Sequence, residues 1–98
     1  MSDWPFDQPP NCAAFSLRKI VFGGAPILYV SHDEEDDGWQ FLDGGPVEMS
    51  DAAVVTMAEV VELDPTVLDV ADLPPGWRAM RGAVGTPWQR EPNPRVSG

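Results

Sequence analysis

The sequence predicts an α+β fold, a small twisted, mostly antiparallel sheet of about four or five strands with one or two short helices on one face. Three observations predict it. Short runs rich in β-branched and aromatic residues recur at 14–22, 27–30, 38–42 and 77–81. Between them stand turn residues: eleven prolines and nine glycines in 98 residues leave room only for short elements. Asp64-Pro65 then gives one clean helix start, with Asp as N-cap and Pro at the first helical position. A chain of this length forms one domain, and its 43% hydrophobic content is that of a globular protein.

Residues 1–12 read as an irregular arm. Pro5, Pro9 and Pro10 interrupt regular hydrogen bonding. Trp4 and Phe6 are costly to leave in water, so they dock on the domain or form part of a binding surface. The domain itself spans 13–90. Its first two β-rich runs, 14–22 and 27–30, are separated by a Gly-Gly-Ala-Pro link and read as a hairpin. A third strand covers Gly38 to Leu42, and Gly44-Gly45-Pro46 ends it.

Residues 50–63 fit two patterns. Val54, Met57, Ala58 and Val61 have helical spacing, with Ser50 or Asp51 as cap. The β-branched runs Val54-Val55-Thr56 and Val60-Val61 favour a strand over 53–57 and a short helix over 58–63. A short helix over 65–71 turns Val67, Leu68 and Ala71 to one side. Pro75-Gly76 suits a type II turn with Gly at positive φ. The strand after it places Trp77, Ala79 and Arg81 on one face. Residues 87–90 form a last extended piece, and 91–98 a disordered tail.

Charge narrows the class of partner. The formal net charge is −10. From Asp33 to Asp72 there are thirteen acids and no Lys or Arg. Such a surface repels nucleic acid and anionic membranes and attracts a basic protein. The competing reading is that acidity only keeps the protein soluble. Cys12 is the only cysteine, so no internal disulfide forms. No signal-peptide pattern or membrane-length apolar run is present, which points to a cytoplasmic protein.

The most polar stretch is Asp33-Glu34-Glu35-Asp36-Asp37, followed by Gly38 and Trp39. Asp33, Glu35, Asp37 and Gly38 fall at positions 1, 3, 5 and 6 of an EF-hand loop, but Gly44 stands at position 12, where the bidentate Glu belongs. No metal or cofactor is therefore expected. His32 has no oriented nucleophile, and sixteen acids give carboxylate pairs no specificity. The glycine pairs lack the Lys-Ser/Thr of a phosphate loop. The sequence thus predicts no catalytic residues.

Three segments taken together resemble a known family. They are Asp36-Asp37-Gly38-Trp39-Gln40-Phe41-Leu42-Asp43-Gly44, Asp64-Pro65-Thr66-Val67, and Leu73-Pro74-Pro75-Gly76-Trp77 with Arg81. They resemble, in order and spacing over about residues 16–90 of this chain, the bacterial domain of unknown function 2185, which is grouped with an immunity-protein-33-like family. Thr66 stands where that family has Ser, and the prolines at 74 and 75 are doubled. The resemblance implies a small α+β domain and an immunity role, in which a small cytoplasmic protein binds and blocks a bacterial toxin. It carries over no catalytic residue. The expected function is non-enzymatic binding, with Asp33, Glu34, Glu35, Asp36, Asp37 and Trp39 meeting a basic partner. The alternatives are a housekeeping interaction module and, last, a small enzyme or weak divalent-cation binder.

Overall fold

A computed structural model describes residues 4–35 and 38–93. Along the chain come β1 (Ala13–Leu17), α1 (Arg18–Val21), β2 (Tyr29–His32), β3 (Trp39–Leu42) and a 3-10 turn at Met49–Asp51. Then follow β4 (Ala52–Thr56), α2 (Met57–Leu63), a 3-10 helix at Pro65–Val70, β5 (Trp77–Met80) and β6 (Gln89–Pro92). The sheet is six-stranded, in the order β4-β1-β3-β2-β5-β6. Every pairing is antiparallel except β1 with β3. The α+β class is as the sequence predicts; the sheet is larger because the extended piece near 87–90 is a full strand. That strand runs on to Pro92, past the expected end of the domain. Of the expected tail, residues 94–98 lie outside the described residues.

The hairpin expected between 14–22 and 27–30 does not form. β3 lies between β1 and β2, and β1 runs parallel to it. The chain must cross over β3 to reach β2, which a four-residue turn cannot span. Arg18 and Lys19, both exposed and good helix formers, instead start α1. Its end is tied off by Phe22 N–H and Ala25 N–H, which donate to Arg18 O and Lys19 O at 2.7 and 2.9 Å. Gly23 passes so close that a Cβ there would stand 2.8 Å from Lys19 O.

Residues 50–63 resolve as strand then helix. Thr56 closes β4 and caps α2: its hydroxyl accepts from Glu59 N–H at 3.1 Å, and the Glu59 carboxylate accepts from Thr56 N–H at 2.8 Å. Asp64 then caps the next helix, accepting from Thr66 N–H at 3.0 Å. That helix is 3-10 rather than α. A repeat of three residues buries Val67 and Val70 together and turns Leu68 outward, against the grouping of Val67 with Leu68 expected from α spacing.

The register fixes two faces. Val30 lies opposite Phe41 and Ala79, and His32 opposite Trp39 and Trp77. This inner face is covered by Ile20 of α1, Met57 and Val60 of α2, and Val67 and Val70, all in one core. Phe6 of the arm is also in that core, 5% exposed, its ring edge-on to Trp39 at 5.0 Å. The arm therefore docks through its aromatic residues, with Trp4 partly buried against Phe6 at 5.5 Å between ring centres. The outer face carries Phe15, Val54, Gln40 and Tyr29, which are only partly covered or exposed. Among the described residues no helix is long and apolar enough to cross a membrane.

Candidate partner-binding surface

The acidic stretch is the connection between β2 and β3, so an antiparallel pair holds it at one end of the sheet. Asp33 N–H donates to Gly38 O at 2.7 Å, which closes the base of the loop. The Asp33 carboxylate accepts from Glu35 N–H at 2.9 Å, an Asx turn that the sequence Asp-Glu-Glu permits. Glu34 and Glu35 are exposed. Asp36 and Asp37, named with them as partner contacts, lie outside the described residues.

The Trp39 side chain is turned away from this surface. It is 2% exposed, stacked on His32 at 4.0 Å between ring centres and covered by Phe6. Its side chain lies on the inner face of β3, so burial removes it from any partner; its expected contact role is replaced by a structural one. The family-like segments are likewise held together from inside. Arg81, on the third, pairs with Asp64, on the second, at 2.7 Å. Gly76 takes φ 84° in the turn closed by Trp77 N–H donating to Pro74 O at 3.1 Å.

Residues that sequence reading did not assign to the surface join it in space. Asp7 of the arm, carried there by the docked Phe6, places a carboxylate oxygen 3.7 Å from His32 Nε2. Gly76 N–H donates to His32 O at 2.7 Å, and the Glu34 side chain lies over Gly76. On the outer face beside the loop is a depression of about 250 Å³, lined by Ala13, Ala14, Phe15, Asp33, Gly38, Trp39, Gln40 and Val54. Its apolar wall comes from Phe15 and Val54, paired neighbours on β1 and β4. Val54 belongs to the β-branched run read as a strand, but neither its exposure nor its pairing with Phe15 was legible in the sequence.

The charges here differ from those elsewhere. Asp64 meets Arg81, Asp43 meets Lys19 at 2.8 Å, and Asp72 meets Arg90 at 2.6 Å. The Lys19 ammonium beside Asp43 and the Arg90 guanidinium beside Asp72 hold both carboxyls below the usual carboxylate range. Among the described residues no Lys or Arg pairs with Asp33, Glu34 or Glu35. Nor, among the described residues, do three His, Cys, Asp or Glu side chains converge as a metal-holding group. The arrangement provides a rigidly based acidic rim beside a shallow apolar wall. It suits a cationic side chain with an aliphatic stem. No protein-family model matches the chain, and no match is found among curated proteins or solved structures.

Proposed function

We propose that this protein is a stoichiometric binding protein that engages a basic protein partner without chemistry of its own, and that the partner is a bacterial toxin domain which it neutralises in the cytoplasm as an immunity protein. The observation that carries the binding reading is that, among the described residues, no Lys or Arg pairs with Asp33, Glu34 or Glu35, which stand at the end of a core hairpin beside the Phe15–Val54 wall. A net charge of −10 adds long-range steering toward a basic surface, which raises association rates and weakens with salt. The toxin reading adds the sequence resemblance to an immunity-protein-33-like family.

Co-expression with toxins encoded beside this gene tests the function. Protection of the cells by the intact protein, and loss of protection on changing Asp33, Glu34 and Glu35 to Asn, Gln and Gln, is the expected result. No protection against any neighbouring toxin overturns the immunity reading. An on-rate for a basic partner that ignores both the triple substitution and salt overturns the acidic surface.

A further inference from the structure

The sheet has two edge strands, and their sequences differ in kind. β6 reads Gln-Arg-Glu-Pro: it carries two charges and a proline, the usual defences of an edge. β4 reads Ala-Ala-Val-Val-Thr, with no charge, proline or glycine. Among the described residues β4 pairs on one side only, with β1.

Its outward backbone groups can be assigned. Ala52 N–H donates to Met49 O and Thr56 N–H to the Glu59 carboxylate, so residues 52 and 56 turn their N–H groups away from β1. Met57 N–H donates to Cys12 O, on the β1 side, as the alternation requires. Val54 therefore also faces outward with its N–H and C=O. The two ends of the edge are capped from within the chain, and among the described residues nothing hydrogen-bonds the position between them. The Val54 side chain is 73% exposed and stands on the outer face, at the wall of the depression beside Asp33.

We infer that β4 is a docking edge for an extended, basic polypeptide segment of the partner, which adds to the sheet as a short strand centred on Val54. Main-chain bonds to Val54 supply the register, and side chains on the outer face meet Val54, Phe15 and the acidic rim. Charge selects this occupant over a second copy of the chain. No Lys or Arg occurs between Lys19 and Arg78, and β4 is flanked by Glu48 and Asp51 on one side and Glu59 and Glu62 on the other. Two copies paired through β4 would set these acids against one another; a basic segment is attracted by all of them. The inference rests on the binding function proposed above and specifies its mode.

The test uses the intact protein and a synthetic peptide of about eight residues alternating Lys and Val, long enough to form one strand. Binding is followed by titration calorimetry and by amide hydrogen exchange. The peptide should bind and slow exchange at the Val54 amide. Val54→Pro removes an N–H that β1 does not use, so the fold survives. It should weaken peptide binding by about tenfold or more, whereas Val54→Thr, which keeps the N–H, should stay within about twofold. Absence of binding at low salt, or equal binding by wild type and Val54→Pro, overturns the docking edge. Salt-sensitive binding with protection confined to residues 33–35 overturns the edge and leaves the acidic surface standing. Binding lost in Val54→Pro but with an affinity indifferent to the triple acid substitution supports the edge and removes the loop from it.

Discussion

The two ends of the central strands β2, β3 and β5 use the same residue type in opposite ways. At the end where β3 and β5 finish, carboxylates are structural. Asp64 is nearly buried against Arg81, which also donates to Ile27 O at 2.8 and 3.0 Å and to the Thr66 hydroxyl at 2.8 Å. The Trp88 ring lies 4.1 Å from the same guanidinium. Asp43 pairs with Lys19 of α1. At the other end, Glu34 and Glu35 stand in solvent with no described cation beside them. The difference lies in where the topology delivers a cation. α1 and the residue after β5 bring Lys19 and Arg81 to one end; toward the other, Arg78 is taken up by Glu91 of β6, and among the described residues no Lys or Arg pairs with the acids of the β2–β3 loop. A carboxylate is therefore part of the architecture or free for a partner according to whether the topology brings a cation to it, not according to its sequence neighbours.

The largest expected effect breaks the structural end. Arg81→Ala leaves the Asp64 carboxylate and Ile27 O without their cationic donor inside the protein, and should cost about 3–5 kcal/mol. Denaturant unfolding measures this. A loss below about 1 kcal/mol would mean that water replaces the guanidinium and that the two ends do not differ as described. Phe6→Ala removes the ring that seats the arm on Trp39 and should cost about 3 kcal/mol. A smaller change would show that the acidic end does not depend on the arm for its shape.

Much of this frame could be read from local chemistry. Asp64-Pro65, Pro75-Gly76 and the β-branched run ending at Thr56 each encode a cap, turn or strand within a few residues, and each takes the expected form. Pairing was less accessible. The Gly-Gly-Ala-Pro link is chemically suited to a hairpin, yet the partner of β1 is settled by the insertion of β3, a long-range contact with no local signature. The same limit applies to the surface. Glu34 and Glu35 are as exposed as their charge implies. Trp39 sits next to that loop in sequence, but strand alternation turns it into the core. Phe15 and Val54 meet only through the β1–β4 register.

Two intermediate effects sharpen the acidic end. Gly76→Ala forces a side chain onto φ 84° beneath Glu34, at a cost of about 1–2 kcal/mol from the backbone. The added Cβ would lie 3.0 Å from Glu34 Oε1, the mobile end of an exposed side chain, so the backbone dominates. Wild-type stability in Gly76→Ala, read from the melting temperature, would show that the turn relaxes. Glu34→Gln with Glu35→Gln should leave stability within about 0.5 kcal/mol of wild type, because no described partner is lost. A larger loss would make these acids architectural and erase the contrast.

The smallest effect tests whether an exposed pair at the structural end still leaves an electrostatic signature. Lys19 lowers the Asp43 carboxyl pKa, and the Gly45 N–H, donating at 3.1 Å, adds to this against the opposing effect of burial. The same pair raises the Lys19 ammonium. A lowered carboxyl contributes stability above its unfolded pKa of about 4 and loses it as pH falls through the lower folded value. A raised ammonium contributes below its unfolded pKa of about 10.4 and loses it as pH rises through the higher folded value. Asp43→Asn keeps an oxygen for Gly45 N–H and deletes only the charge. Its melting temperature should fall slightly below that of wild type across the neutral range. The gap should close in acid as wild-type Asp43 protonates, and it should shrink with added salt, because Lys19 is half exposed. A gap that persists unchanged in acid would assign the effect to the lost carboxylate geometry instead of the charge.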